Sequence, residues 1–459
     1  MTVAGMVDLA RRSLVLGTAA AAGGAVLARS TRASAAAVRP VRPVNLELVT
    51  VTESTAVLTW YTGEDGTDDG LGGMRPAPAD AEVLYGTHPS RLTRTVHGPS
   101  GTPYHYVELT GLEPNRTYYY RARSSGRDAQ PTWLAAGRAA GTPHGGAFSF
   151  TTPAPPPGRH LVTIALCNDL HIGETVAGLV GGLPWIEGVE QVPGRPPYPE
   201  VMAKALVADA RARGASLIVA NGDLTAEAGR ADVRRVKAIL DGFGAYGTGY
   251  LVTRGNHDRP HGSDHFKDAF FPDGRTYFTR DLPGLRIIAL DTYDKPGGGG
   301  DAGGLSAGQL AWFEAELRAD PGRPTLVVGH HPLFEEESAL ALTGGRSLDP
   351  VQSLRILAAY NRTPGVFLHH AGHTHRNHRS VFPLAPRVVH QEVGAVKEYP
   401  GGFALLRVHT GGHAVNFYKT RSDEARAWSE RSRRELAGLW PQLSLGDRVT
   451  DRNSSARFG

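Results

Sequence analysis

The chain has 459 residues, 41% hydrophobic and 20% charged, which is ordinary for a globular protein and long enough for two or three domains that each bury a core. Its formal charge of +4 is weak ground for a nucleic-acid or membrane partner: residues 1–35 hold Arg11, Arg12, Arg29 and Arg32 against Asp8 alone, and without that +3 the remainder carries +1. The single cysteine, Cys167, excludes an internal disulfide, so an exported form must rest on packing and metal.

In chain order, residues 1–37 read as an export signal peptide. Arg11-Arg12 opens it, an uncharged Ala- and Gly-rich apolar stretch runs from Leu14 to Leu27, and Ala33-Ser34-Ala35 has the form of a cleavage site. The arginine pair followed by Ser13-Leu14-Val15-Leu16 resembles a twin-arginine signal, which carries folded proteins. The stretch is short for a spanning helix, so no transmembrane anchor is expected and the location is extracellular or cell-envelope.

Residues 40–153 alternate with period two. Strands are predicted over Asn45 to Val51, Thr55 to Tyr61, Ala81 to Tyr85, Tyr104 to Leu109, Thr117 to Arg123 and Phe148 to Thr152, which indicates a small β-sandwich. Leu112-Glu113-Pro114-Asn115-Arg116-Thr117-Tyr118 resembles the tyrosine corner of fibronectin type III domains, with Trp60 as core tryptophan, and with Val83-Leu84-Tyr85-Gly86 the domain resembles that at the N-terminus of purple acid phosphatases. It reads as a spacer, or as a domain that walls an active site or contacts a cell-surface polymer. The stiff segment Pro-Ala-Pro-Pro-Pro-Gly over 153–158 closes it.

Beyond the linker, a domain over 159–420 is predicted. Continuous apolar runs at 161–167, 216–220, 250–253, 286–290, 325–329 and 366–368 fit strands buried on both faces. Helical periods lie between some of them at 199–213, 230–242, 306–319 and 350–360, and further strands near 387–393, 403–409 and 414–419, so the domain is α/β. Residues 421–459 read as a C-terminal exposed helix, over 422–438, and a poorly ordered tail.

Polar residues follow these runs, where open α/β sheets gather their ligands. In order they are Asp169-Leu170-His171, Gly222-Asp223, Gly255-Asn256-His257-Asp258, Gly329-His330-His331-Pro332 and Gly372-His373-Thr374-His375. Seven donors (Asp169, His171, Asp223, Asn256, His330, His373 and His375) exceed what one tetrahedral ion takes and suit two. Imidazole with carboxylate favours Zn, Mn, Fe or Ni over Ca or Mg. If Asp-x-His and His-x-His are extended, alternate side chains share a face.

This motif order, over roughly 159–420, resembles that of the calcineurin-like metallophosphoesterases. The resemblance implies two mixed sheets flanked by helices. It implies one metal on Asp169, His171, Asp223 and His375, and another on Asp223, Asn256, His330 and His373, with Asp223 bridging. His330 is the implied ligand of its motif, leaving His331 behind it or facing substrate. It further implies hydrolysis of a phosphomonoester or phosphodiester by a metal-bound hydroxide, with His257 stabilising charge or protonating the leaving oxygen, Asp258 orienting His257, and Arg376 beside the substrate. The chain departs from purple acid phosphatases: His171 stands where they have glycine, and Ala226 where they have the iron-binding tyrosine, so a colourless enzyme is expected. The gly- and pro-rich segments 173–199 and 292–304 are expected to rim the site. The alternatives are a non-catalytic metal-binding cell-surface protein, which the intact ligands argue against, and a secreted nuclease or nucleotidase, of which the near-neutral charge disfavours the nuclease.

Overall fold

Alternation builds the first domain as expected. Val41–Val51, Ala56–Glu64 and Tyr104–Leu109 form an antiparallel sheet that faces a second one ordered Arg94–His97, Glu82–Gly86, Thr117–Ser124, Ala147–Thr151, Thr142–His144. In Thr117–Ser124 every second residue is buried, which sends Tyr118, Tyr120 and Ala122 into a core with Leu58, Val83 and Trp60. Trp60 Nε1 donates to Ser124 Oγ at 2.9 Å, and the Tyr118 hydroxyl accepts from the Glu113 N–H at 2.9 Å, closing the corner read from the sequence. This is a computed structural model. It describes residues 40–71, 73–132, 138–178, 187–295, 299–335 and 347–458, and the leader expected over 1–37 lies outside them.

The second domain is a sandwich of two mixed six-stranded sheets. One orders Tyr250–Thr253, Leu217–Asn221, His160–Cys167, Gly402–His409, Gly412–Lys419, Asn453–Arg457; the other Phe278–Leu282, Leu285–Ala289, Thr325–Val328, Val366–Ala371, Val389–Glu392, His378–Ser380. In the first sheet three strands run parallel, Ile164 pairing with Leu217 and Ile218 with Tyr250, while His160–Cys167 meets Gly402–His409 antiparallel; in the second, Ile287 pairs in parallel with Leu326. Strands in such positions are apolar on both faces because both are covered. Leu285, Ile287 and Ala289 join the core shared with Ile164, Leu166 and Ile218, while Ile288 and Leu290 face Leu310, Phe313 and Leu317 of the helix Ala307–Ala319. The helices Tyr198–Ala212 and Arg230–Asp241 pack on the other sheet through Met202, Leu206, Val233 and Val236. Cys167 is fully buried in the shared core. Among the described residues no helix is long and apolar enough to cross a membrane.

The C-terminal reading needs correction. The helix covers only Asp423–Ser432, and it buries Ala425, Arg426, Trp428, Ser429 and Ser432. The tail supplies the edge strand Asn453–Arg457, paired antiparallel with Gly412–Lys419. Its anchor is Arg452, fully buried, which donates to the carbonyls of Leu48 (2.7 Å) and Val49 (3.1 Å) in the first domain. Charge misled here because several of these arginines are internal. Arg433 and Lys419 meet on Glu47 of the first strand, which also accepts from Tyr399 Oη at 2.6 Å and Thr59 Oγ1 at 3.1 Å. The two domains thus share a buried polar cluster, and residues 40–459 form one compact unit.

Candidate metal centre

Five loops at the carboxyl ends of parallel strands bring the polar motifs together. Asp169 and His171 follow His160–Cys167, Asp223 follows Leu217–Asn221, Asn256 follows Tyr250–Thr253, His330 follows Thr325–Val328, and His373 and His375 follow Val366–Ala371. Two loops cross by main-chain bonds: the N–H groups of Leu170 and His171 both donate to the Asp223 carbonyl, at 2.9 and 3.0 Å. Asn221 ties the two sheets beneath them, donating to the carbonyls of Gly329 and His370 and accepting from His330 Nδ1 at 2.8 Å. Two glycines permit this crowding. A Cβ on Gly222 would stand 2.5 Å from the His330 ring, and one on Gly255 2.2 Å from Asp223 Oδ1.

The pairs Asp-x-His and His-x-His do not act as extended strands. Asp169, His171, Asp223, His373 and His375 all have positive φ, between 46° and 67°. Left-handed backbone is costly for residues other than glycine and persists where the surroundings impose it. The consequence is that His373 and His375 separate. Asp169, His171 and His375 place ligand atoms within 4.8 Å of one another, as do Asp223, His330 and His373, and as do His171, Asp223 and His257. His375 Nε2 is 3.2 Å from Asp169 Oδ1; His330 Nε2 is 3.0 Å from Asp223 Oδ2, and His171 Nε2 lies 3.7 Å from that same oxygen. Asp223 therefore stands between the two groups. Asn256 is buried, and its neighbours bracket Asp223: the His257 N–H donates to Asp223 Oδ1 at 2.8 Å.

These groups fit cations. The Nε2 atoms of His171, His330 and His373 and the Oδ1 atoms of Asp169 and Asn256 are buried without a hydrogen-bond partner among the described residues. So many orphaned lone pairs in one place are costly unless something positive sits among them. The protein itself pushes protons there. Burial alone would raise the Asp169 and Asp223 carboxyls, yet the surrounding imidazoles hold both well below the usual range. Burial likewise opposes charge on His330 and His375, but Asp223 carries the former up to about 9, and Asp169 with Glu398 the latter up to about 10.

Three expected roles change. His257 is exposed and its Nδ1 meets the Ala226 carbonyl at 2.8 Å, not Asp258. Asp258 is fully buried and accepts from the N–H groups of Leu224 (3.1 Å), Thr225 (2.9 Å) and Gly255 (3.1 Å) and from Thr225 Oγ1 (2.8 Å). It clamps the Asp223 loop to the Asn256 loop. His331 is held behind His330: Nδ1 meets Thr292 Oγ1 at 2.7 Å and Nε2 the Asp301 carbonyl at 2.9 Å, and burial drives its pKa down to about 3. Arg376 is buried in a two-pronged ion pair with Glu392, at 2.9 and 3.1 Å, so it too is committed within the protein.

Other residues escaped sequence reasoning. Asn168 Nδ2 donates to Asp169 Oδ2 at 2.5 Å. Glu398 Oε1 lies 2.7 Å from His375 Nδ1, and Glu174 Oε2 3.0 Å from His171 Nδ1. Lys397 Nζ meets both oxygens of Glu174, at 2.6 and 2.7 Å. Glu174 stands three residues past His171, a local spacing that a search for imidazole partners can find. Lys397-Glu398 follows no motif and arrives through the fold alone.

Residues 162–377 match the family described as Calcineurin-like phosphoesterase, and residues 41–152 match Purple acid Phosphatase, N-terminal domain. No curated protein matches the chain. Similar solved structures include a dimetal phosphatase from Danio rerio (16% identity, 57% of this chain and 98% of that one, TM-score 0.45). Purple acid phosphatase PPD1 from yellow lupin (Lupinus luteus) seeds has 15% identity, 83% and 73% coverage, and a TM-score of 0.41. A structure of PhoD has 12% identity, 86% and 98% coverage, and a TM-score of 0.39.

Proposed function

We propose that this chain, a metal-dependent phosphoester hydrolase that joins a calcineurin-like phosphoesterase domain to a purple acid phosphatase N-terminal domain, cleaves phosphomonoesters or phosphodiesters at a two-metal centre outside the cytoplasm. The observation that carries the reading is the set of three Asp/His groups that share His171 and Asp223. Asp169, His171, Asp223 and His375 hold one ion and Asp223, Asn256, His330 and His373 the other. Bound there, such a pair acidifies a water molecule and offsets the charge of the phosphoryl oxygens.

The protein's own contribution is positional. With a carbonyl as partner, Nδ1 of His257 must carry the proton, so Nε2 is the nitrogen left to meet the substrate. His257 is exposed and its ring lies 4.6 Å from that of His171, at the mouth of the centre. Only when both nitrogens are protonated can Nε2 stabilise a phosphoryl oxygen or pass its proton to the leaving oxygen; the neutral ring, with its proton on Nδ1, can only accept there. The carboxylate of Asp223 takes the adjacent His257 N–H, which fixes the imidazole to the same loop that supplies ligand atoms.

Chromogenic mono- and diesters offered with Mn or Zn test the activity, and His257→Ala tests the role. That variant is expected to keep its metal while turnover falls by about 100-fold or more; full turnover by His257→Ala refutes the role. Export is supported by Arg11-Arg12 and the apolar stretch that follows. Fractionation of cells expressing the full chain checks it, and retention of the folded protein in the cytoplasm counts against it.

A further inference from the structure

The two halves of the centre are backed differently. Behind His171 and His375 stand two carboxylates: Glu174 Oε2 is 3.0 Å from His171 Nδ1, set off the line of a hydrogen bond, and Glu398 Oε1 is 2.7 Å from His375 Nδ1 in good alignment. One ammonium group joins them. Lys397 Nζ bonds both oxygens of Glu174, at 2.6 and 2.7 Å, and lies 3.3 Å from Glu398 Oε2. Behind His330 stands only a neutral carbonyl, that of Asn221 at 2.8 Å, and among the described residues no carboxylate is bonded to His373 other than those of the centre itself.

A carboxylate on the far nitrogen of an imidazole fixes which nitrogen carries the proton, aims the other at the metal and strengthens it as a donor. Two carboxylates and one ammonium leave a net negative charge behind the imidazoles of the Asp169 side; on the other side the carboxylates meet no imidazole from behind, since Asp301 takes Asn256 Nδ2 at 3.4 Å and pairs with Arg259 at 3.5 Å, and Asp258 is spent on main-chain N–H groups and the Thr225 hydroxyl. Burial and the neighbouring Glu398 push the carboxyl of Glu435, the third acid of this pocket, upward, and its ionisation would only add to the negative balance on that side. Lys397 is itself tightly placed. Its side chain is only 5% exposed, its N–H donates to the Asp169 carbonyl at 3.2 Å, and its carbonyl accepts from Trp428 Nε1 at 2.7 Å. Tyr198 Oη donates to Glu174 Oε1 at 2.5 Å and stacks on Trp428 with centroids 3.9 Å apart, which walls the pocket from the side.

We infer that Lys397 is a positioning residue: by holding Glu174 and Glu398 against His171 and His375, it makes the Asp169 side the tighter of the two metal sites. The inference rests on the two-metal reading above. It assigns the order of loading, the Asp169 side filling first.

The test is Mn(II) binding by the intact protein, read as bound metal per chain across a chelator series. Wild type is expected to hold two ions and to release them in two steps. Lys397→Met removes the ammonium but keeps the stem, and Glu398→Gln keeps the shape but removes one charge. Each is expected to weaken the tight step by about 10- to 100-fold and leave the weak step in place, with Lys397→Arg restoring most of the loss. The side is identified by combination. In a His330→Asn background, which keeps the Asp169 side, adding Lys397→Met should weaken the remaining ion; in a His375→Asn background it should change nothing. Wild type holding fewer than two ions sinks the two-metal reading. Wild type holding two, with both Lys397→Met and Glu398→Gln unchanged or losing both ions in parallel, overturns the inference alone.

Discussion

Replacing Asp258 by Asn separates two accounts of that residue. If Asp258 orients His257, the variant loses turnover and keeps its stability. The structure points the other way, because the carboxylate spends itself on four donors: three N–H groups and the Thr225 hydroxyl. An amide presents one oxygen and turns its NH2 towards the remaining N–H groups. About two bonds to a buried, charged acceptor are lost, each worth about 1.5–3 kcal/mol, so the variant is expected to be destabilised by about 3–6 kcal/mol. At about 2.1 cal/mol/K per residue, the 420 residues from Pro40 to Gly459 unfold with an entropy of about 0.9 kcal/mol/K. The melting temperature then drops by about 3–7 °C in a chelated sample. Metal affinity should fall with it, since the clamp holds the Asp223 and Asn256 loops together. Differential scanning calorimetry with a parallel metal titration reads both. An unshifted melting temperature with collapsed turnover refutes the clamp and restores the orienting role.

Metal binding should depend steeply on pH. His330 and His375 are protonated in the metal-free protein up to about 9 and about 10, while ligation needs their Nε2 lone pairs, so affinity rises with pH. Below pH 9 the slope reaches about 100-fold per unit, with about two protons released per chain at pH 7, measured in weakly buffered Mn(II) titrations. Affinity flat from pH 6 to 9 contradicts this. Glu47→Gln leaves Lys419 and Arg433 buried without their carboxylate and is expected to cost about 3–5 kcal/mol, read by thermal melting; a near-neutral result shows the cluster does not join the domains. Iron-loaded protein should show no strong visible band, since Ala226 leaves no phenolate in that motif, and an intense band bleached by reduction counts against this.

The candidate donors were legible because each follows an apolar run, and buried parallel strands write such runs plainly. How the donors divide came from the family resemblance and not from their spacing. Alternation along an extended chain puts His373 and His375 on one face, whereas left-handed backbone sends them to different groups. Nothing in Gly-His-Thr-His announces that conformation; it is imposed by contacts such as the His373 N–H on Asp169 Oδ2. The strands Phe278–Leu282 and Asn453–Arg457 were missed for another reason. The first is half-exposed along its length and the second is polar, so neither carries an apolar period, and both are held by main-chain pairing at sheet edges. Polar pairing within the protein was equally hidden. Arg376 and His331 flank ligands in sequence, but Glu392, Thr292 and Asp301 come from elsewhere and claim them first.

The segment from Val396 to Pro400 joins the first domain to the Asp169 loop. Val396 and Lys397 donate their N–H groups to the carbonyls of Asn168 and Asp169, so the segment lies against the first ligand loop. Lys397 and Glu398 reach Glu174 and His375 with their side chains. The next residue, Tyr399, is fully buried and donates its hydroxyl to Glu47 of the first domain's opening strand. Three consecutive side chains thus run from the first domain to the imidazoles of the centre. Because Tyr399 also lies under the cations of Lys419 and Arg433, 4.3 and 4.5 Å from its ring centroid, displacing Glu47 would disturb the residue that anchors Glu398.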